Sequence, residues 1–199
     1  MMLIEQTSVP QAAVPVAELK AHLRLGTGFS DDGMQDALLE SYLRAAMAAI
    51  EGRVGKVLIA RRFLLRLENW RAADAQALPV GPVTGVVSVT LVDASGASVV
   101  VPAGRYRLVE DMHRPRIAAA GAMLPLVPSE GRVDVVFDAG FGAAWAQVPA
   151  DLRQAVLLLG AEYYEHRHDG GVQGGGLPQA VLVLIERWRT VRVLGGGAA

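Results

Sequence analysis

The 199-residue sequence contains no cysteine. That excludes disulfides, zinc ribbons, iron–sulfur clusters and thiol nucleophiles together. It carries almost no excess charge: 19 Lys and Arg against 20 Asp and Glu give a formal net charge of −1. A chain-wide electrostatic grip on nucleic acid is thereby excluded, though not a local one. Nowhere does an apolar run reach the ~18 residues a membrane helix needs. The start, Met1-Met2-Leu3-Ile4-Glu5, lacks the basic flank and apolar run of a signal peptide. The expectation is a soluble protein made in the cytoplasm, with no membrane partner. Lysine is scarce as well: Lys20 and Lys56 are the two, and the rest of the Lys and Arg set is arginine. Apolar residues, in contrast, make up 52% before 22 glycines are added, which is high for a soluble domain. Two explanations stand side by side: a GC-rich genome favouring Ala and Arg, or surface buried against neighbouring subunits.

Hydrophobic spacing divides the chain. Residues 1–15, with Pro10 and Pro15, show no period and read as an extended arm. Leu19 and Leu23 predict a short helix over Val16–Leu25, ended by Gly26-Thr27-Gly28. Ser30-Asp31-Asp32 offers capping oxygens and acids to the start of a second helix, expected from about Asp31 to Arg53. Leu38, Leu39, Tyr42, Leu43, Ala46, Met47 and Ile50 recur along it at helical spacing, and its alanines make it thin enough for close packing. From Val57 the period changes. Strands are expected at Val57–Leu67, Val83–Val92, Ser98–Val101, Arg105–Val109, Arg116–Ala118 and Arg132–Phe137, with a turn at Asp93-Ala94-Ser95-Gly96 and a polar connection over Asn69–Ala77. Helical spacing returns after Pro149, where Leu152, Val156, Leu159 and Tyr163 share a face, and again after Pro178 with Val181, Leu182, Ile185 and Trp188. The order predicts an α+β fold. Its helical bundle core has two N-terminal and two C-terminal helices, with an antiparallel β block inserted over 57–138 and a flexible tail over 189–199.

The sequence offers little catalytic equipment. It has no Gly-x-Ser-x-Gly elbow, and the glycine run 170–176 follows a predicted helix and lacks the Lys-Ser or Lys-Thr pair of a phosphate loop. Asp31-Asp32 near Asp36 reads as helix capping rather than a cation site. The most enzyme-like cluster is Glu162, Glu165, His166 and His168. Its Glu165-x-x-His168 spacing belongs to di-metal carboxylate sites, but such sites need two copies and two more carboxylates on facing helices. A small metal-dependent enzyme built on this cluster is the alternative function; the competing reading is a solvated helix end whose basic residues suit the negative dipole. No cofactor is implied. Downstream, Arg187, Trp188, Arg189, Val191, Arg192, Val193 and Leu194 form an acid-free stretch of arginines and apolar residues. It fits a segment that orders in a partner's groove, or a core-finishing Trp188 followed by a fraying end.

Taken in order, several segments resemble the head–tail connector, or adaptor, proteins of long-tailed phages, prophages and phage-derived gene transfer agents. They are Val16-Ala17-Glu18-Leu19-Lys20-Ala21-His22-Leu23-Arg24, the helix running through Ile50-Glu51 to Gly55, Trp70 with Leu78-Pro79-Val80-Gly81-Pro82-Val83, Tyr106, Asp138-Ala139-Gly140-Phe141, Val148-Pro149-Ala150-Asp151-Leu152, and Tyr163-Tyr164-Glu165-His166-Arg167. The resemblance spans about residues 16–190; the Gly-rich loop and the Gly/Ala ending depart from it. It implies a structural protein without catalysis, forming a dodecameric ring at the neck of a virion or virus-like particle. The expected partners are the portal protein, further copies of the chain, and a downstream neck, stopper or tail-completion protein. DNA would pass through the ring without sequence-specific binding. C-terminal segments of this family engage the portal, which assigns portal contact to Arg187–Arg189 and Val191–Leu194. Tyr163, Tyr164, Glu165 and Arg167 are the expected subunit-interface residues.

Overall fold

The computed structural model describes residues 1–25, 35–167 and 176–189. Two apolar cores lie in succession, one between helices and one between sheets. The helical core is built from α1 (Val16–His22), α2 (Asp36–Val54), α3 (Ala150–Glu165) and α4 (Gln179–Ile185). The expected spacing operates here: Leu39, Leu43, Ala46, Met47 and Ile50 of α2 are buried against Leu152, Val156 and Leu159 of α3, with Leu19, Val181 and Ile185 closing the cluster. Proline sets two of the starts, since α3 follows Pro149 and α4 follows Pro178, both extended residues immediately before the first turn. Gly55 ends α2 in the left-handed region at φ 67°, where a side chain would be strained, and its N–H returns to the Glu51 carbonyl at 2.8 Å. The stretch of the second helix predicted at Asp31–Gly33 lies outside the described residues.

The second core is β. A five-stranded antiparallel sheet runs β1-β2-β8-β4-β5, from β1 (Met2–Glu5), β2 (Arg61–Leu67), β4 (Val83–Val92), β5 (Ser98–Val100) and β8 (Arg132–Ala139). A three-stranded sheet runs β3-β7-β6, from β3 (Ala75–Ala77), β6 (Tyr106–Val109) and β7 (Arg116–Ala119). Alternation is cleanest in β8, where Val133, Val135, Phe137 and Ala139 point inward. Phe63 stacks on Phe137 with centroids 5.8 Å apart, and Ile117 brings the small sheet onto the same core. No helix among the described residues is long and apolar enough to cross a membrane.

Three expectations need correction. The N-terminal arm is extended at its start, as expected, but it is built into the fold and not merely attached to it: Met2–Glu5 pairs with β2, and Val9, Ala13 and Val14 are buried in the helical core. The β layer therefore draws a strand from outside 57–138. Asn69–Ala77 is not only a connection, because Ala75–Ala77 pairs with β7. The strand predicted from Val57 starts at Arg61. Residues 57–60 instead cross between the two cores, Val57 in the sheet core and Leu58 and Ile59 in the helical one. Pairing over 56–60 is limited to isolated bridges, Lys56 with Gly81 and Ile59 with Gly142. The Leu58 N–H is taken by the Glu51 carboxylate at 2.7 Å, so it cannot enter a ladder. Lys56 is buried at this crossing, and burial lowers its ammonium pKa against the pull of Asp111.

Cross-strand ion pairs clamp the outer face of the large sheet. Arg62 binds Asp138 through two bonds of 2.8 and 2.9 Å, and Arg66 binds Asp134 through two of 2.8 Å. The Arg66 bonds, with Arg132 nearby, hold the Asp134 carboxyl below its usual range. A depressed folded-state pKa contributes stability above the unfolded value of about 3.9 and loses it as pH falls through the lower folded value. Asp134→Asn is therefore expected to flatten the acid limb of a plot of Tm against pH below about pH 4. An unchanged limb would show that this pair does not control acid unfolding.

Candidate functional site

The predicted site residues gather near the two ends of helix α3. At its N-terminus Asp151 sits in the first turn, where a carboxylate suits the positive end of the dipole. One oxygen accepts the Leu152 N–H at 3.0 Å. The other receives the Trp188 indole N–H at 2.8 Å and lies 2.7 Å from Arg187 Nε. The Arg187 guanidinium lies over the Trp188 ring at 4.7 Å, and Phe141 packs edge-on to Trp188 at 5.3 Å. Arg189 lies beyond this clasp, exposed and paired with Glu186 at 2.9 Å. Three of the seven residues expected at the portal are thus described. Two of them are engaged with Asp151 of their own chain, although Arg187 keeps 68% of its side chain exposed. Val191, Arg192, Val193 and Leu194 lie outside the described residues.

At the C-terminal end of α3, Tyr164 packs edge-on against Tyr42 of α2, with centroids 6.5 Å apart. Arg167 folds back so that its guanidinium lies 4.2 Å from the Tyr164 ring centre, and it donates to the Tyr164 carbonyl. Tyr163 is half-buried against the helical core, which raises its phenol pKa, and Glu165 is exposed. Tyr164 and Arg167 therefore form one stacked unit, while Tyr163 belongs partly to the core. His166 points its Nδ1 at the Glu162 carbonyl, 3.1 Å away, as a helix-end residue does. Among the described residues no group of three His, Asp or Glu could hold a metal ion; His168 lies outside them.

The sequence reading missed Asp151 as the receiver of the C-terminal segment and Phe141 as its support. A signal was present for the first: an acid in a first turn spends one oxygen on the helix and has a second to offer. Missed too were the exposed valines at the β5 edge, because alternation in the sequence does not report which strand lies outermost.

No protein-family model matches the chain, and no curated protein does. Solved structures do. A chain in the neck of an empty gene transfer agent particle, computed with C6 symmetry, is 61% identical over 98% of this chain and 99% of its own length, with a TM-score of 0.90. A chain in the virion of a native gene transfer agent particle is 60% identical over the same shares, with a TM-score of 0.87. A third, in the neck of a native particle computed with C12 symmetry, is 56% identical over the same shares at a TM-score of 0.85.

Proposed function

The chain belongs to the head–tail connector, or adaptor, family of phage-derived gene transfer agents, and from that premise we propose that it is a structural subunit of the particle neck that closes into a dodecameric ring on the capsid portal. The ring extends the DNA channel and presents a platform to the next neck or tail protein. The observation that carries this reading is 61% identity, over 98% of the chain, to a protein of a gene transfer agent neck. A ring of identical subunits needs two unlike faces on each copy, joined head to tail. The exposed apolar residues at the sheet margins and the Tyr164–Arg167 unit supply material for such faces. We place Tyr163, Tyr164, Glu165 and Arg167 at a subunit boundary. A net charge of −1 suits a passage through which DNA slides without sticking.

The clasp divides the work of the C-terminal segment. Asp151 and Phe141 hold Arg187 and Trp188, which fixes where the C-terminal segment departs from the helical core. Arg189, Val191, Arg192, Val193 and Leu194 then reach the portal. Many identical tails docking together would bind far more tightly than one. Deleting residues 190–199, and so keeping the clasp, is expected to leave the melting temperature unchanged. The same deletion should weaken retention on portal-bearing capsids by roughly 100-fold or more, since the loss is multiplied through avidity. Wild-type retention of the truncated protein in a sedimentation assay would reject the assignment of the tail.

A further inference from the structure

The two margins of the five-stranded sheet carry exposed apolar residues at the same end of the sheet. Cross-strand register shows this directly. Met2 opposes Arg66, Arg66 opposes Asp134, Asp134 opposes Thr90, and Thr90 opposes Val100. Met2 and Val100 are therefore the two ends of one row across the sheet, on the same face, because directly opposed residues share a face. The neighbouring row ends at Val99, through Leu67, Val133 and Leu91. On one margin Val99 is 67% exposed and Val100 64%; on the other Met1 is 68% exposed and Met2 48%. Strand β5 is exposed throughout and has no lysine, proline or inward charge; its three-residue length limits continued strand pairing but leaves its valine side chains open to contact. Beside β1 lies an open groove of about 800 Å³ whose lining is mostly polar: Met1 and Met2 border it together with Arg66, Glu68, Glu130 and Arg132.

We propose that in the neck the β5 margin of one copy seats against the β1 margin of the next, with Val99 and Val100 meeting Met1 and Met2 at the mouth of this groove. The inference rests on the ring reading above and names its contact. A second copy is the occupant because head-to-tail closure demands two unlike patches on opposite sides of each subunit and at a common level. The sheet presents such a pair, whereas a single foreign partner would require one patch alone. The similar neck chains sit in assemblies computed with C6 and C12 symmetry, where each copy has neighbours of its own kind. The contact is made by side chains and not by a continuous ladder. Neighbouring strands turn by roughly 20–25°, so β1 and β5 diverge by roughly 80–100° across four steps, too far for strand pairing to continue around a twelve-membered wall.

Absence of native cysteine makes the test clean. Particles carrying Val100→Cys together with Met2→Cys, the two ends of one row on one face, mildly oxidised, are expected to give a ladder of covalent multimers on a non-reducing gel, while each single substitution stays monomeric. In parallel, Val99→Asp with Val100→Asp should melt like wild type, since both sites are exposed, yet fail to form rings. If electron micrographs show intact rings in the double-cysteine particles but no ladder forms, or if the aspartate variant still assembles, this contact is overturned and the ring reading stands. If the wild-type protein forms no ring in the neck, both fall.

Discussion

Replacing Glu51 by alanine is expected to cost about 3–5 kcal/mol of folding stability, the range for breaking a buried ion pair by removing one partner. Glu51 lies in the last turns of α2, and both of its oxygens are committed to the crossing between the cores. One accepts the Leu58 N–H at 2.7 Å, the other the Arg61 guanidinium at 2.6 Å. The two side chains retain only 14% and 8% of their exposure. Losing Glu51 leaves the buried Arg61 guanidinium with only the longer pairing to the more exposed Glu5, at 3.6 Å, and strands the Leu58 amide N–H. Burial outweighs Arg61 in setting the Glu51 pKa, which is raised. The pair is therefore not stabilising merely for being charged. The prediction has a sharper form: Glu51→Leu combined with Arg61→Met, which removes both charges, should recover much of the loss seen in the single variant. Urea unfolding of the two singles and the double gives the cycle, and strict additivity would refute coupling across this crossing. The pH dependence has the opposite sign to that of Asp134. With its folded pKa above the ordinary 4.5, Glu51 binds protons better folded than unfolded, so its contribution falls as pH rises from that value through the folded pKa.

Glu51 also explains where the sequence was readable and where it was not. The periodic face of α2 from Leu39 to Ile50 is a local pattern, and it packs as the spacing predicts. Pro149 and Pro178 are local signals as well, and helices begin at the next residue in both cases. Val83–Val92 forms one strand over the predicted range. What failed was decided at long range. The Leu58 amide leaves the strand pattern because a carboxylate seven residues back claims it. Met2–Glu5 becomes a strand because the free edge of β2 lies beside it, a fact sixty residues away in sequence. Gln76 is buried in β3 with its amide satisfied by the Arg71 N–H and the Ala77 carbonyl, an arrangement that a polar residue does not announce. For Trp188 the sequence left two readings open, core or partner. The structure gives the indole a core contact on Phe141 and a bond to Asp151. The rest of the site was harder, because contacts between copies impose no period on one chain. Their trace is an apolar excess, and genome composition produces the same excess.

Gly140→Ala is expected to cost on the order of 4 kcal/mol, from backbone strain of about 1–3 and overpacking of about 1–3 kcal/mol. Gly140 has φ 139°, outside the range that side chains accept, and a Cβ placed there would lie 2.4 Å from the Ala60 Cα and 2.5 Å from its nitrogen. Neither atom can yield, since both are backbone in the stretch that links the cores. The Gly140 N–H donates to the Pro82 carbonyl at 2.9 Å, and the Ala60 N–H donates to the Gly142 carbonyl at 2.8 Å, so the segments at this approach are held in place. The consequence extends to the proposed portal contact. Phe141 follows directly and supports Trp188, the residue that holds the start of the C-terminal segment on α3. A shift of the backbone at Gly140 should therefore loosen the clasp as well as lower the melting temperature. Tryptophan fluorescence would register the first effect and calorimetry the second. Gly121→Ala is the control: a Cβ there meets nothing within 4 Å, and the change should stay within about 0.5 kcal/mol of neutral. Equal costs at the two positions would mean that close backbone approach at the crossing is not what requires Gly140.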